Sequence, residues 1–446
     1  MEQQLPVYPK FTKEMKHTHK ILIPNMLPIH WTLLRDALED EGYDAEVLTT
    51  TGPEIAQEGL KYVHNDTCYP ALLVIGQFIC ALKSGKYDLQ HTALLITQTG
   101  GGCRASNYIH LLRKALVKAD FGNVPVASLN FSGLEKDSGF SLTVPLLRKV
   151  VSAVFYGDEL MCLANQVRPY EQTPGAADAV VARWLRVLAA QYDGKRGITK
   201  RDMRRNFAAI AADFAAVPVH WCPRVKVGVV GEIYVKYSAL GNNGLEAFLA
   251  SEGCEVNVPG LMGFVQYCVE NMRETSKLYG GDTWLARAAS IVQDFLDTRE
   301  EMMLAAIAKY PQFHAPMPFA KMKKMAQGII SYGVKMGEGW LLTAEMVELV
   351  HSGFENIVCA QPFGCLPNHI CGKGMINKIR AAHPTANITP IDYDPSATRV
   401  NQENRIKLML SVARERLQSP PRQTPPSAPQ HEGRRVPNLV PLPANS

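Results

Sequence analysis

Apolar positions along the chain fall into short solid runs separated by stretches with helical period. Lys20–Pro24, Thr92–Thr97 and Val124–Leu129 are brief apolar runs of the length expected for buried strands. Between them, Ile29–Glu41 places Leu33, Leu34, Ala37 and Leu38 at helical spacing, and Gly42 supplies a stop. Tyr43–Leu48 predicts a further strand, and Ala71–Lys83 and Ser106–Ala119 predict helices. Strands alternating with helices predict a parallel sheet covered on both faces. From Leu142 to Val217 the pattern is helical throughout, with Val181, Trp184, Leu185 and Leu188 on one stripe. Pro218 and Pro223 break that run.

The strand pattern then restarts. Val225–Val230, Glu255–Val258, Asn356–Ala360 and Ile388–Asp392 read as strands, and a helix starts at Leu245. Asp282–Ala308 reads as one or two helices. The predicted fold class is therefore α/β. One parallel-sheet domain occupies residues 1–140, a helical segment 141–223, and a second parallel-sheet domain 224–418. The remaining segment, 419–446, holds eight prolines and is expected to be disordered and dispensable for the fold.

Composition narrows the class. An apolar share of 46% with 20% charged residues excludes disorder for the bulk of the chain. No run reaches the ~18 apolar residues of a membrane span, and the polar N-terminus lacks a signal-peptide core. The expectation is a cytoplasmic protein. The net charge of +5 is spread over short clusters such as Lys321, Lys323 and Lys324. No basic stripe marks a nucleic-acid binder.

The ten cysteines carry more. A cytosolic compartment disfavours disulfides, so thiols that matter there bind metal or do redox work. No compact CxxC pair is present, so a metal site has to be assembled from distant loops. Three loops qualify. In the first, His64–Ala71, Pro70 suits a first helical turn and puts Cys68 just ahead of a helix N-terminus, where the dipole favours a thiolate. The second, Thr97–Ser106, joins a strand to a helix through Gly100, Gly101 and Gly102, followed by Cys103 and Arg104. Glycines there allow close approach, backbone N–H groups can face sulfides, and Arg104 can offset negative charge. A phosphate loop is the rival, but neither GxxxxGK[ST] nor GxGxxG fits. The third loop follows a strand and holds Cys359, Gly364, Cys365 and Cys371, with Phe363 and Leu366 expected to shield a site from water. It stands where ligand crevices of parallel sheets form.

Three thiolates from three loops suit a cubane iron–sulfur cluster with one iron lacking a cysteine ligand. The alternative is zinc held by three cysteines with His369 or His64. Cys80 and Cys162 read as core thiols, and Cys222, Cys254 and Cys268 stay open.

The segments HNDTCYPALLVIGQ, ITQTGGGCRASNYI, VGEIYVKYSALGNNGLE and CAQPFGCLPNHICGKGM resemble the 2-hydroxyacyl-CoA dehydratase superfamily, closest to its branch of double-cubane-cluster proteins. That branch is similar to the C-terminal region of large fused dehydratase activases. The resemblance runs from about Ile21 to Leu410. It implies two Rossmann-like domains around a 4Fe-4S or double-cubane 8Fe-9S cluster, ligated by Cys68, Cys103 and Cys365. Cys359 is a further ligand candidate, and Gly101, Gly102, Arg104 and Gly364 line the cluster. It also implies a homodimer or heterodimer, and an ATP-hydrolysing activator with its own iron–sulfur cluster as electron donor. The expected activity is reduction of a small molecule or dehydration of a 2-hydroxyacyl-CoA. A non-catalytic electron relay and a zinc-structured binding protein are the alternatives.

Overall fold

The computed structural model describes residues 8–64, 66–98, 102–130, 139–140, 143–281 and 283–418. Gly101, the helix edges expected at Leu142 and Asp282, and the proline-rich segment 419–446 lie outside the described residues.

Among the described residues, eight strands form two sheets. β1 (Lys20–Pro24), β2 (Asp44–Leu48), β3 (Thr92–Gln98) and β4 (Val126–Asn130) build the first; β5 (Lys226–Gly231), β6 (Glu255–Asn257), β7 (Asn356–Pro362) and β8 (Asn387–Tyr393) build the second. Every pairing is parallel. The strand orders are β2-β1-β3-β4 and β6-β5-β7-β8, so the two halves repeat one Rossmann-like topology. Each order reverses between its first and third strands, the place where open parallel sheets form a crevice at the strands' C-terminal ends. β5 and β7 are buried almost without interruption, which is why their sequences read as solid apolar runs and not as alternation.

Helices α1 (Pro28–Asp40), α2 (Pro53–Tyr62), α3 (Tyr69–Lys83) and α4 (Tyr108–Lys118) complete the first half. The helix expected from Ser106 instead opens with a separate 3-10 turn over Arg104–Asn107. The helical segment is α5 (Val144–Val167), α6 (Ala176–Asp193) and α7 (Lys200–Ala215). The second half adds α8 (Ile233–Tyr237), α9 (Leu245–Ser251), α10 (Leu261–Tyr279), α11 (Thr283–Ile307), α12 (Phe319–Met325), α13 (Gly339–His351), α14 (Leu366–Cys371), α15 (Ile376–Ala382) and α16 (Arg399–Gln418). α11 is a single helix, resolving the one-or-two expectation. α13 has no counterpart in the sequence reading. It is buried on nearly every side, so it carries no apolar stripe against a polar face. Among the described residues no helix is long and apolar enough to cross a membrane.

α5 ties the halves together. Its Asp158 bonds the fully buried His30 of α1 (Oδ1 to Nε2, 2.8 Å) and accepts the first N–H groups of α10, from Leu261 at 2.7 Å and Met262 at 2.8 Å. One carboxylate thus satisfies groups from both halves. Asp158→Ala leaves three buried donors unmatched and is expected to destabilise the protein by about 3–5 kcal/mol. A urea midpoint indistinguishable from wild type would show that the strut is idle.

Candidate metal centre

Three helix starts converge at the seam between the halves. Cys68 is the N-cap of α3, Cys103 of the Arg104–Asn107 turn, and Cys365 of α14. All three have extended backbone, as a capping residue does before its helix begins. Pro70 and Pro367 occupy the first turns of α3 and α14, where a missing N–H is harmless. Cys103 and Cys365 stand beyond the C-terminal ends of β3 and β7, the third strands of their sheets. The sequence reading placed the loops correctly; the structure brings all three together.

The closure is made by backbone. Tyr69 N–H donates to the carbonyl of Phe363 at 3.0 Å, joining the first and third loops. Gly364, with φ of +74°, lies so close that a Cβ there would be 3.3 Å from Cys68 Cα and 3.4 Å from Arg104 Nη1. The Arg104 guanidinium donates to the Asp66 carbonyl, bracing the first loop against the second. Gly102 N–H points to Met336 Sδ at 3.1 Å, so its amide serves the second half's loop and is not free to face a sulfide. Ala105 N–H reaches Cys103 Sγ at 3.4 Å, and the Tyr108 hydroxyl lies 2.8 Å from Cys68 Sγ.

At Cys68 burial works against the thiolate expected at a helix N-terminus. Burial pushes its thiol up to about 11, helped by the negative charge of Glu232, and the Tyr108 hydrogen bond only moderates this. Burial likewise raises Cys103 and Cys365, with Glu338 and Glu232 adding repulsion. Desolvation outweighs the partial charge of one helix end. Thiols raised in this way favour the protonated form, so a metal bound by them would have to displace their protons.

The sequence reading missed two carboxyl groups beneath the thiols. Glu232 follows β5 and caps α8, its Oε2 accepting Val235 N–H at 2.9 Å. Glu338 precedes α13, and its Oε1 accepts Ile233 N–H at 3.0 Å. Both carboxylates therefore meet at the start of α8. Burial, then repulsion from Glu338, pushes Glu232 up to about 8; burial also raises Glu338. Lys236 offsets part of this charge but is itself paired with Glu345 at 3.2 Å, both fully enclosed. Two carboxyls so placed do not both ionise at neutral pH. The local signal was a lone Glu inside the apolar runs VGEIYV and GEGWLL, a pattern that buried carboxyls share with turns.

Other expectations change. Cys359 sits mid-strand in β7, opposite Val230 and Pro390, fully buried in the second half's core. A Cβ on Gly372 would be 3.1 Å from its sulfur, so Cys359 faces α14's far end and not the three capping thiols. Cys371 belongs to the same core cluster. Cys222 and Cys254 precede β5 and β6, at the opposite end of the sheet from the site. Cys268 packs in the cluster around Trp340, where Glu338 also acts on it. Cys162 lines a separate cavity of about 260 Å3 with Asn165, His314 and Glu348. Phe363 and Leu366 do not shield the site: they are 51% and 69% exposed, and with Ile370 and Met336 they form an apolar rim. Cys365 itself is buried, whereas Phe363 before it and Leu366 after it are exposed.

Among the described residues, no three His, Cys, Asp or Glu side chains stand close enough together to enclose a single metal ion. No family model matches the chain, and no curated protein matches it.

Proposed function

We propose that the protein is an iron–sulfur redox protein of the 2-hydroxyacyl-CoA dehydratase type, with Cys68, Cys103 and Cys365 holding a 4Fe-4S cluster. The observation that carries this reading is the convergence of three capping cysteines, two from the same position of two repeated sheets, on one seam. The donor set fits: three soft sulfurs, Cys68 and Cys365 buried and Cys103 half-buried, with Gly364 leaving room that a side chain would fill. When bound, such a cluster supplies one-electron transfer at low potential. The chain's own residues do the rest. Tyr108 orients the Cys68 sulfur, Ala105 N–H that of Cys103, and Arg104 locks the loops. Glu232 and Glu338 hold a proton close to the sulfurs. The apolar rim of Phe363, Leu366, Ile370 and Met336 is a surface for the ATP-hydrolysing activator that delivers electrons. The substrate is a small molecule or a 2-hydroxyacyl-CoA. A double cubane would have to draw further thiolates from Cys268, Cys359 or Cys371.

Anaerobically reconstituted protein is expected to carry about four irons and four sulfides per chain and a broad visible absorption. Activator with ATP bleaches that absorption, and ATP alone does not. Stoichiometric zinc without sulfide would replace this reading with a structural zinc protein. Bleaching without turnover of any candidate substrate would leave an electron relay.

A further inference from the structure

The cavity of about 260 Å3 beside Cys162 has a lining that the cysteine seam does not account for. Two helix ends close it. Cys162 and Gln166 belong to the last turns of α5, and Glu348 and Ser352 to the last turn and the cap of α13. Helix C-termini carry partial negative charge, so both ends favour a cation between them. Phe313 and Phe354 are buried and give the cavity apolar walls. His314, Ala315 and Pro316 are exposed and form its mouth.

The open acceptors are acidic. Glu348 is nine-tenths buried; its Oε1 accepts the Ser352 hydroxyl at 2.7 Å, and no other side chain donates to the carboxyl among the described residues. Glu159 lies one turn before Cys162 on the same face of α5. It is fully buried, and neither of its oxygens has a hydrogen-bond partner. Burial raises the Cys162 thiol, and Glu159 and Glu348 both add to this, so the two carboxyl groups act on one point beside the cavity.

Among the described residues, no cation next to the cavity is free to answer them. Lys226 lies over the Phe354 ring at 5.3 Å, but His314 holds it at 3.3 Å and Glu255 at 3.8 Å. Since Lys226 donates to Nε2 of His314, that ring serves as an acceptor and adds no positive charge. Arg168, just after α5, is engaged by Asp178 and Asn165. An anionic or zwitterionic ligand would therefore meet no counter-charge. A bare metal ion fits no better, because no three ligating side chains enclose a point. The matching ligand has one positive charge and an apolar body, to which the aromatic walls add attraction. The volume lies below that of pockets for drug-sized molecules, so this ligand is small.

We propose that this cavity binds a small aliphatic ammonium ion, with its charge against Glu348 and its carbon chain against Phe313 and Phe354. α13 spans about 20 Å between Glu338 and the cavity, so the site is separate from the three capping cysteines and does not depend on what they hold.

The test is isothermal titration calorimetry of the full chain with n-butylammonium chloride, with n-butanol and sodium butyrate as controls of the same size at equal ionic strength. Butylammonium is expected to bind with a Kd of about 0.1–1 mM, butanol at least tenfold more weakly, and butyrate not at all. Glu348→Gln keeps the shape and an acceptor for Ser352 while removing the charge. It is expected to weaken butylammonium roughly ten- to hundredfold, down to the level of butanol. Its melting temperature should stay at or above wild type, since a buried carboxyl gives way to a neutral amide. Ala315→Trp, at the exposed mouth, leaves the core untouched and is expected to weaken butylammonium and butanol alike. No heat from butylammonium up to about 20 mM, equal binding of butylammonium and butanol, or unchanged affinity in either variant would each overturn the proposal.

Discussion

Cys103→Ala or Cys365→Ala is expected to strip most of the bound iron and sulfide from anaerobically prepared protein, while the apoprotein melts within a few degrees of wild type. Each thiol is a helix cap facing the seam, and its truncation removes a donor without opening the core. Cys359→Ala should behave in the opposite way. That thiol is enclosed between β7 and α14, so its loss leaves a small cavity and costs about 1–2 kcal/mol, with iron content unchanged. The contrast makes the measurement decisive. If Cys359→Ala empties the protein of iron and Cys365→Ala does not, the three-loop site is wrongly drawn. Tyr108→Phe should keep the iron but alter the environment of the Cys68 sulfur, read as a shift in the visible spectrum, since it deletes only the hydroxyl 2.8 Å from that sulfur.

Gly76→Ala is the second substitution expected to have a large effect. Inside a helix, alanine for glycine ordinarily stabilises by about 1 kcal/mol. Here the sign should reverse. α2 and α3 cross backbone to backbone, and a Cβ on Gly76 would fall inside the envelope of the Ile55 carbonyl and 3.0 Å from Gly59 N. Gly59 makes the reciprocal approach to the Leu72 carbonyl. Neither obstacle is a flexible side-chain tip that can swing away, so the helices must separate. A net loss of about 2–4 kcal/mol is expected, measured as a lowered denaturant midpoint. Since α3 begins at Cys68, the displaced helix should also load iron poorly. A midpoint at or above wild type would mean that the crossing relaxes easily.

The frame of the molecule was open to sequence reading because its strands are solid apolar runs punctuated by proline and glycine. All eight strands were located, their edges shifted by one or two residues. The three capping cysteines were legible for the same reason, since each stands where a strand or loop gives way to a helix, two of them marked by a proline two positions on. What stayed hidden depends on long-range burial. Nothing local to Glu232 or Glu338 says that its carboxyl is enclosed, and each is buried only because α8, α13 and the three cysteine loops meet. Phe363 and Leu366 misled in the other direction. Apolar residues beside a thiol suggested a cover, but Phe363 in the turn after β7 and Leu366 at the start of α14 both face outward. Cys359 differed from Cys365 by nothing in composition. Its place six residues earlier, inside the strand, sends it to the core.

For the proposed cluster, the order of Cys68, Cys103 and Cys365 along the chain has a temporal consequence. Cys68 and Cys103 leave the ribosome with the first sheet, whereas Cys365 arrives only after β7, the next-to-last strand. At ordinary synthesis rates the gap between Cys103 and Cys365 is roughly 10–50 s. Through that interval the nascent chain displays two of the three thiols, and the Phe363 carbonyl that pins the first loop has not been made. Loading of the proposed cluster would thus be an event of the finished chain, since products that stop short of β7 carry Cys68 and Cys103 without Cys365.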